Sequence, residues 1–214
     1  VIASKDWPSM IPSNPLLSIS TEGWCEGVAR APCDNFDPRP EGADISLLVI
    51  HNISLPPGQF GSTHIEALFA NTLDCDAHPY FAQLRGLKVS AHFLIRRDGT
   101  ALQFVPTTQR AWHAGVSAFK GRERCNDFSI GIELEGSDDQ HFTDAQYRTL
   151  AGLTLALTAR HPITDLAGHS DIAPGRKTDP GPFFSWQQYR AQCKVLAAKT
   201  ISYTKDIAAL SFPD

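Results

Sequence analysis

The run SLLVIHNI, Ser46 to Ile53, constrains the fold more than any other stretch of the chain. Leu47, Leu48, Val49 and Ile50 are consecutive and aliphatic, so neither face of an extended strand built from them is polar. Side chains of a strand alternate between two faces, and this strand must therefore be covered on both. Such a strand belongs inside a sheet with further layers packed over it, which points to an α/β architecture. The polar pair His51-Asn52 interrupts the run where the strand gives way to a loop.

The rest of the chain supplies the other layers. After the Pro56-Pro57-Gly58 turn, HIEALFAN carries Ile65, Leu68 and Phe69 at helical spacing. VSAHFLIRRDGTALQFV, Val89 to Val105, reads as a hairpin parted by Arg97-Asp98-Gly99. FSIGIELEG, Phe128 to Gly136, reads as a second strand. A helix begins after Thr143 as N-cap, runs through Tyr147, Leu150, Leu153 and Leu157, and stops before Pro162. SWQQYRAQCKVLAAK, capped by Ser185, gives another. The expectation is one α/β domain, a central mixed β-sheet flanked by helices, over residues 21–195. Residues 1–20 read as a loosely ordered N-terminal extension, the segment to about residue 40 as a loose wrap around the core, and residues 196–214 as a surface tail. A chain of 214 residues suits one well-filled core.

Charge and cysteine content exclude several functions. A net charge of -4 provides no basic face for nucleic acid and no polybasic membrane anchor. No apolar run approaches a bilayer span, and VIASKDWPSMIPSNPLL lacks the pattern of a secretory signal. The five cysteines, Cys25, Cys33, Cys75, Cys125 and Cys193, are odd in number and scattered, with no C-x-x-C pair. They read as reduced thiols of a cytoplasmic protein.

Chemistry concentrates in GHSDIAPGRKTDPGPFF, residues 168 to 184, whose prolines and glycines make it a loop. It holds His169, Asp171, Lys177 and Asp179. Two imidazoles, His51 and His169, with the carboxylate of Asp179 form a common donor set for catalytic zinc. Their spacings match no compact metal motif, and His51 taken alone reads more readily as a core histidine bonded to a carbonyl. Glu133 and Glu135 lie two apart on one strand and share a face. Glu133 would serve as general base beside a metal, while either carboxylate could instead meet solvent or an arginine. Lys177 suits an oxyanion or is an ordinary surface lysine. Trp112-His113 offers an aromatic wall with a polar tip, or a core tryptophan. Asp171 either orients His169 or caps the loop.

Six separate motifs, SLLVIHNISLPPGQFG, AHPYF, VSAHFLIRRDGT, RAWHAGVS, GRERCNDFSIGIELEG and GHSDIAPGRKTDPGP, occur in an order that resembles the amidase_2 and peptidoglycan-recognition-protein superfamily. The resemblance runs from about Glu22 to about Gln192. It implies zinc-dependent cleavage of the amide between (1,6-anhydro-)N-acetylmuramic acid and L-alanine, in peptidoglycan recycling in the cytoplasm of a Gram-negative bacterium. One catalytic zinc ion would be held by His51, His169 and Asp179, with Glu133 as acid and base and Lys177 at the developing oxyanion. Asn52, Tyr80, Trp112, His113 and Arg124 fall at substrate-binding positions of the family pattern. Lys88 stands where that pattern carries an arginine, a departure that touches one substrate contact and leaves the catalysis intact. The implied partner is a small anhydromuropeptide, with no nucleic acid, membrane or obligate protein partner. Two rivals within the resemblance are an amidase acting on polymeric cell wall and a peptidoglycan-binding module without catalysis. The complete set of His51, His169 and Asp179 argues against the second, since the relatives that bind without cutting have lost a metal ligand.

Overall fold

The computed structural model describes residues 17–200 and 207–213. The elements are β1 (Ser18–Ile19), β2 (Cys25–Glu26), β3 (Ala29–Arg30), β4 (Phe36–Pro38), β5 (Leu47–Ile53), α1 (His64–Phe69), β6 (Phe93–Ile95) and β7 (Ala101–Gln103). They continue with β8 (Gln109–Ala111), β9 (Ala118–Phe119), β10 (Arg122–Glu123), β11 (Ser129–Glu135), α2 (Asp144–Arg160), β12 (Asp165–Gly168), α3 (His169–Ile172) and α4 (Trp186–Lys199). Six strands form a mixed sheet in the order β12-β5-β11-β6-β7-β3. Strands β12, β5, β11 and β6 run parallel, and β6 pairs antiparallel with β7 through the expected Arg97-Asp98-Gly99 turn. The hairpin is shorter than the sequence suggests, because only Phe93–Ile95 and Ala101–Gln103 pair within it.

β5 lies one strand in from the edge and is covered on both faces, as its aliphatic run requires. On one face Leu48 and Ile50, with Ile130, Ile132 and Leu134 of β11, pack against Leu150, Leu153 and Leu157 of α2 and Tyr189 of α4. Burying each such side chain contributes about 1.5–3 kcal/mol. α2 starts where Thr143 accepts from the Gln146 backbone N–H at 3.1 Å while Gln146 Oε1 accepts the Thr143 N–H at 3.0 Å. On the opposite face Leu47 and Val49 meet Ala114, Cys125, Phe128, Ala167 and Ile172. Two residues further on, His51 projects from this second face.

Three segments depart from expectation. The region before residue 40 is stitched into the sheet: β3 forms its far edge, and the Cys25 N–H donates to Gln103 Oε1 at 2.7 Å. The end of the chain is anchored too. Ile207, Leu210 and Phe212 are buried, the Ser211 N–H donates to Thr164 O at 2.9 Å, and the Leu166 N–H donates to Ser211 O at 2.8 Å. Between them, β12 is a four-residue strand too short for periodicity to reveal. Most of the expected N-terminal extension lies outside the described residues. None of the five cysteines is paired, and no helix among the described residues is long and apolar enough to cross a membrane.

His92 sets a pH limit on this fold. It is fully buried; its Nδ1 accepts the Gly131 N–H at 3.1 Å, so its proton sits on Nε2, 3.1 Å from Gln109 O. Burial and the nearby Arg39 guanidinium hold it neutral well below the ordinary histidine value. The unfolded chain protonates this ring near pH 6.5 and the folded chain does not, so unfolding takes up a proton below that pH. Folding stability should therefore fall on acidification below about pH 6.5, with a contribution from His92 of roughly 1 kcal/mol per pH unit. Denaturant unfolding between pH 7 and pH 5 measures the slope, and His92→Asn should make it shallower.

Candidate metal centre and active site

The C-terminal ends of three neighbouring parallel strands converge on one spot, the usual place for a site in an open α/β sheet. β12 pairs with β5 so that Gly168 lies beside Ile50, which brings the next residue, His169, alongside His51. β11 pairs with β5 on the other side with Glu133 opposite His51, so the two side chains share a face. His169 opens α3, the one helical turn within the segment expected to be all loop. The chain then doubles back, and the Ser170 N–H donates to Asp179 O at 2.9 Å, bringing the Asp179 carboxylate up to the two imidazoles.

Three atoms meet there. His51 Nδ1 is 3.0 Å from His169 Nδ1 and 3.0 Å from Asp179 Oδ2, and His169 Nδ1 is 3.1 Å from Asp179 Oδ2. Both histidines are buried. His169 Nε2 lies 3.2 Å from the carbonyl oxygen of Ala114, which only accepts, so the His169 proton is on Nε2 and its Nδ1 presents a lone pair. Asp179 Oδ2 also only accepts. At most one proton, on His51 Nδ1, is available to three mutually close atoms, and at least two lone pairs face each other. A tetrahedral ion with bonds of about 2.0–2.1 Å to nitrogen and oxygen sets its ligand atoms about 3.3 Å apart, close to the observed triangle. The donor set therefore fits a divalent cation of the zinc kind. Burial alone would raise the Asp179 pKa, but the His169 and His51 imidazoles beside its Oδ2 hold it below the usual carboxylate range.

Glu133 stands apart from the triangle in its hydrogen bonding. It is nearly buried and its Oε2 has no partner. Burial first, and then the negative charge of Asp179, push its pKa well above the ordinary carboxylate value, with Lys177 pulling the other way. Glu135, two residues on, is engaged elsewhere: it accepts from Arg96 Nη1 at 2.8 Å, the Gly61 N–H at 2.7 Å and the Arg97 N–H at 3.2 Å. Of the two carboxylates on this face, only Glu133 is unpaired.

A cleft of about 800 Å³ opens over these groups. His51, His169, Asp179, Glu133 and Lys177 line it, as do Asn52, Tyr80, Trp112 and His113 among the residues singled out for substrate. Asn52 Nδ2 is taken up by Asp138 Oδ1 at 2.7 Å and Pro180 O at 3.0 Å, so it braces the walls. Tyr80 is exposed and Trp112 half-buried. Lys88 and Arg124 are not among the lining residues, and Arg124 Nε lies 3.2 Å from Asp127 on the exposed surface. Asp171 caps its turn by accepting the Gly168 N–H at 2.6 Å and makes no bond to the His169 ring.

Two groups escaped the sequence reading. Arg176 donates to the carbonyls of Ala114 at 2.8 Å and Val116 at 2.6 Å, fastening the segment that orients His169. Ser129 lies under His113, its Oγ 3.2 Å from His113 Nε2. The alternation of β11 was the available signal, since Ser129, Gly131 and Glu133 share one face.

Residues 41–182 match the Amidase_2 family, described as N-acetylmuramoyl-L-alanine amidase. The 1,6-anhydro-N-acetylmuramyl-L-alanine amidase AmpD of Citrobacter freundii is 59% identical over 172 residues, covering 79% of this chain and 92% of that protein. A crystal structure of a Se-Met AmpD derivative shares 59% identity at a TM-score of 0.78, covering 80% of this chain and 97% of that one. The N-acetylmuramyl-L-alanine amidase AmiD from E. coli was solved in complex with anhydro-N-acetylmuramic acid-L-Ala-D-gamma-Glu-L-Lys. It is 32% identical at a TM-score of 0.52, covering 83% of this chain and 65% of that one.

Proposed function

Because the chain belongs to the Amidase_2 family of N-acetylmuramoyl-L-alanine amidases, we propose that it is a zinc-dependent hydrolase of anhydromuropeptides. The bond cleaved joins (1,6-anhydro-)N-acetylmuramic acid to the L-alanine of the stem peptide, and the reaction serves peptidoglycan recycling in the cytoplasm. The observation that carries this reading is the triangle of His51 Nδ1, His169 Nδ1 and Asp179 Oδ2, in which acceptors outnumber protons. The substrate class is supported by AmpD and by the anhydromuropeptide bound to AmiD.

His51, His169 and Asp179 would hold the zinc ion, which supplies Lewis-acid polarisation of the scissile carbonyl and activation of water at neutral pH. Glu133 takes the proton from water as the lactyl carbonyl is attacked and returns it to the departing amine of L-alanine. Its neighbours suit it to both proton transfers, because burial and Asp179 favour the protonated form while Lys177 favours the ionised form. The Lys177 ammonium, on the wall of the same cleft, stabilises negative charge on the tetrahedral oxygen. Trp112 and Tyr80 offer flat apolar surfaces for the sugar and stem peptide, and Asn52 ties the Asp138 and Pro180 segments together. Lys88 and Arg124, which do not line the cleft, would serve as contacts only for a longer stem peptide.

Chelator-treated protein should cleave no anhydromuropeptide, and added zinc should restore the rate. Release of the free stem peptide, followed by chromatography, measures both. Full activity of metal-free protein would remove the ion from the mechanism.

A further inference from the structure

His113 is surrounded by bonds that point inward, toward the triangle. Its backbone N–H and that of Ala114 both donate to Asn126 Oδ1, at 3.2 and 2.8 Å. Asn126 is in turn held by Arg39, a half-buried cation that donates to the carbonyls of Asn126 at 3.0 Å, Asp127 at 3.1 Å and Ser129 at 2.8 Å. The imidazole packs over Gly131, whose missing side chain leaves room for it, since a Cβ there would run into the ring. Held this way, His113 places Nδ1 at 2.9 Å from His51 Nε2 and Nε2 at 3.2 Å from Ser129 Oγ. The rings of His113 and His51 meet edge-on at 84°.

We infer that His113 is a positioning residue that sets the tautomer of His51, through a chain running His51 Nε2–H to His113 Nδ1 and His113 Nε2–H to Ser129 Oγ. With the chain pointing outward, the His51 proton lies on Nε2 and its Nδ1 offers a lone pair to the cation. With the chain reversed, Ser129 donates to His113, His113 donates to His51, and the His51 proton sits on Nδ1, inside the triangle. Each ring carries one proton in both directions, so the switch gains and loses none. His169 reaches the same end by a fixed route, since the Ala114 carbonyl can only accept. One ligand therefore has a permanent lone pair, and the other has one that His113 can grant.

This inference rests on the metal reading above and is tested by zinc affinity, not by turnover. Zinc dissociation constants, from competition with a chromophoric chelator, should weaken about 10–100-fold in His113→Leu, which keeps bulk and lacks the acceptor. His113→Asn puts an oxygen near the Nδ1 position and should stay within about threefold of the parent protein. Ser129→Ala removes the far end of the chain and should weaken binding in the same direction by less, which keeps the test available if His113→Leu fails to fold. Equal weakening by Leu and Asn would overturn the inference, because a structural role makes no distinction between them. It would also be overturned by a raised KM for anhydromuropeptide with zinc affinity unchanged, the outcome of a pure substrate contact. Wild-type protein that takes up no zinc would instead overturn the metal centre itself.

Discussion

Glu133→Gln should bind zinc as the parent chain does and cleave anhydromuropeptide about 10²–10⁴-fold more slowly. The substitution keeps the shape of the side chain and removes its ability to accept a proton, while the three atoms of the triangle belong to other residues. Its effect on stability runs the opposite way. Folding raises the pKa of Glu133 well above the value it has in the unfolded chain, so at neutral pH the folded protein bears a cost that the unfolded chain does not. That cost is absent below the unfolded pKa and grows as the pH rises through it. Replacing the carboxylate should leave the metal-free protein at least as resistant to denaturant at pH 7, the pattern of a residue retained for function. Steady-state rates, bound zinc and denaturant midpoints on one preparation check all three. A variant that turns over at the parent rate would remove Glu133 from proton transfer.

Where the fold was legible, the reason was apolar patterning over enough residues. β5 and β11 carry seven residues each, and α2 carries 17 with a capping box at Thr143. These elements alone generate the sheet core and one covering layer. β12 was illegible because DLAG has four residues and two of them, Leu166 and Ala167, supply its whole apolar content. The docking of Ile207, Leu210 and Phe212 depends on partners at Thr164 and Leu166, some forty positions earlier, which no local pattern encodes.

The site divides similarly. His51, His169, Asp179 and Glu133 were each visible as chemistry-bearing residues, but their spacing left the metal reading open until the family motifs named them. What brings them together is strand register, Gly168 beside Ile50 and Glu133 beside His51, and register is a property of the sheet. The bond from His113 to His51 was further from reach. It depends on the segment after β8 crossing over Gly131, and on the half-buried Arg39 holding Asn126 beneath it. The resemblance placed His113 among substrate contacts because that is where a cleft-lining histidine falls in the family pattern. Its ring does line the cleft, and both of its nitrogens are nonetheless spent on protein atoms.

Asp179→Ala should separate recognition from cleavage. Asp179 supplies the single carboxylate of the triangle, and without it two neutral imidazoles remain to hold a divalent ion. Zinc binding should weaken by several orders of magnitude and turnover should vanish with it, the largest loss expected of any single substitution here. The cleft walls depend on other bonds: Asn52 to Asp138, the Trp112 N–H to Ser90 Oγ at 2.9 Å, and Arg176 to Ala114 and Val116. Their survival predicts that the variant still binds intact anhydromuropeptide, with an affinity within about tenfold of the product affinity of the parent enzyme, a difference of about 1.4 kcal/mol. Titration calorimetry with uncleaved substrate tests this directly, because the variant cannot consume it. Retained binding would show that losing one carboxylate turns this amidase into a peptidoglycan-recognition module. Binding lost together with turnover would mean that the ion itself is a main anchor of the substrate, and that the cleft walls contribute orientation in place of affinity.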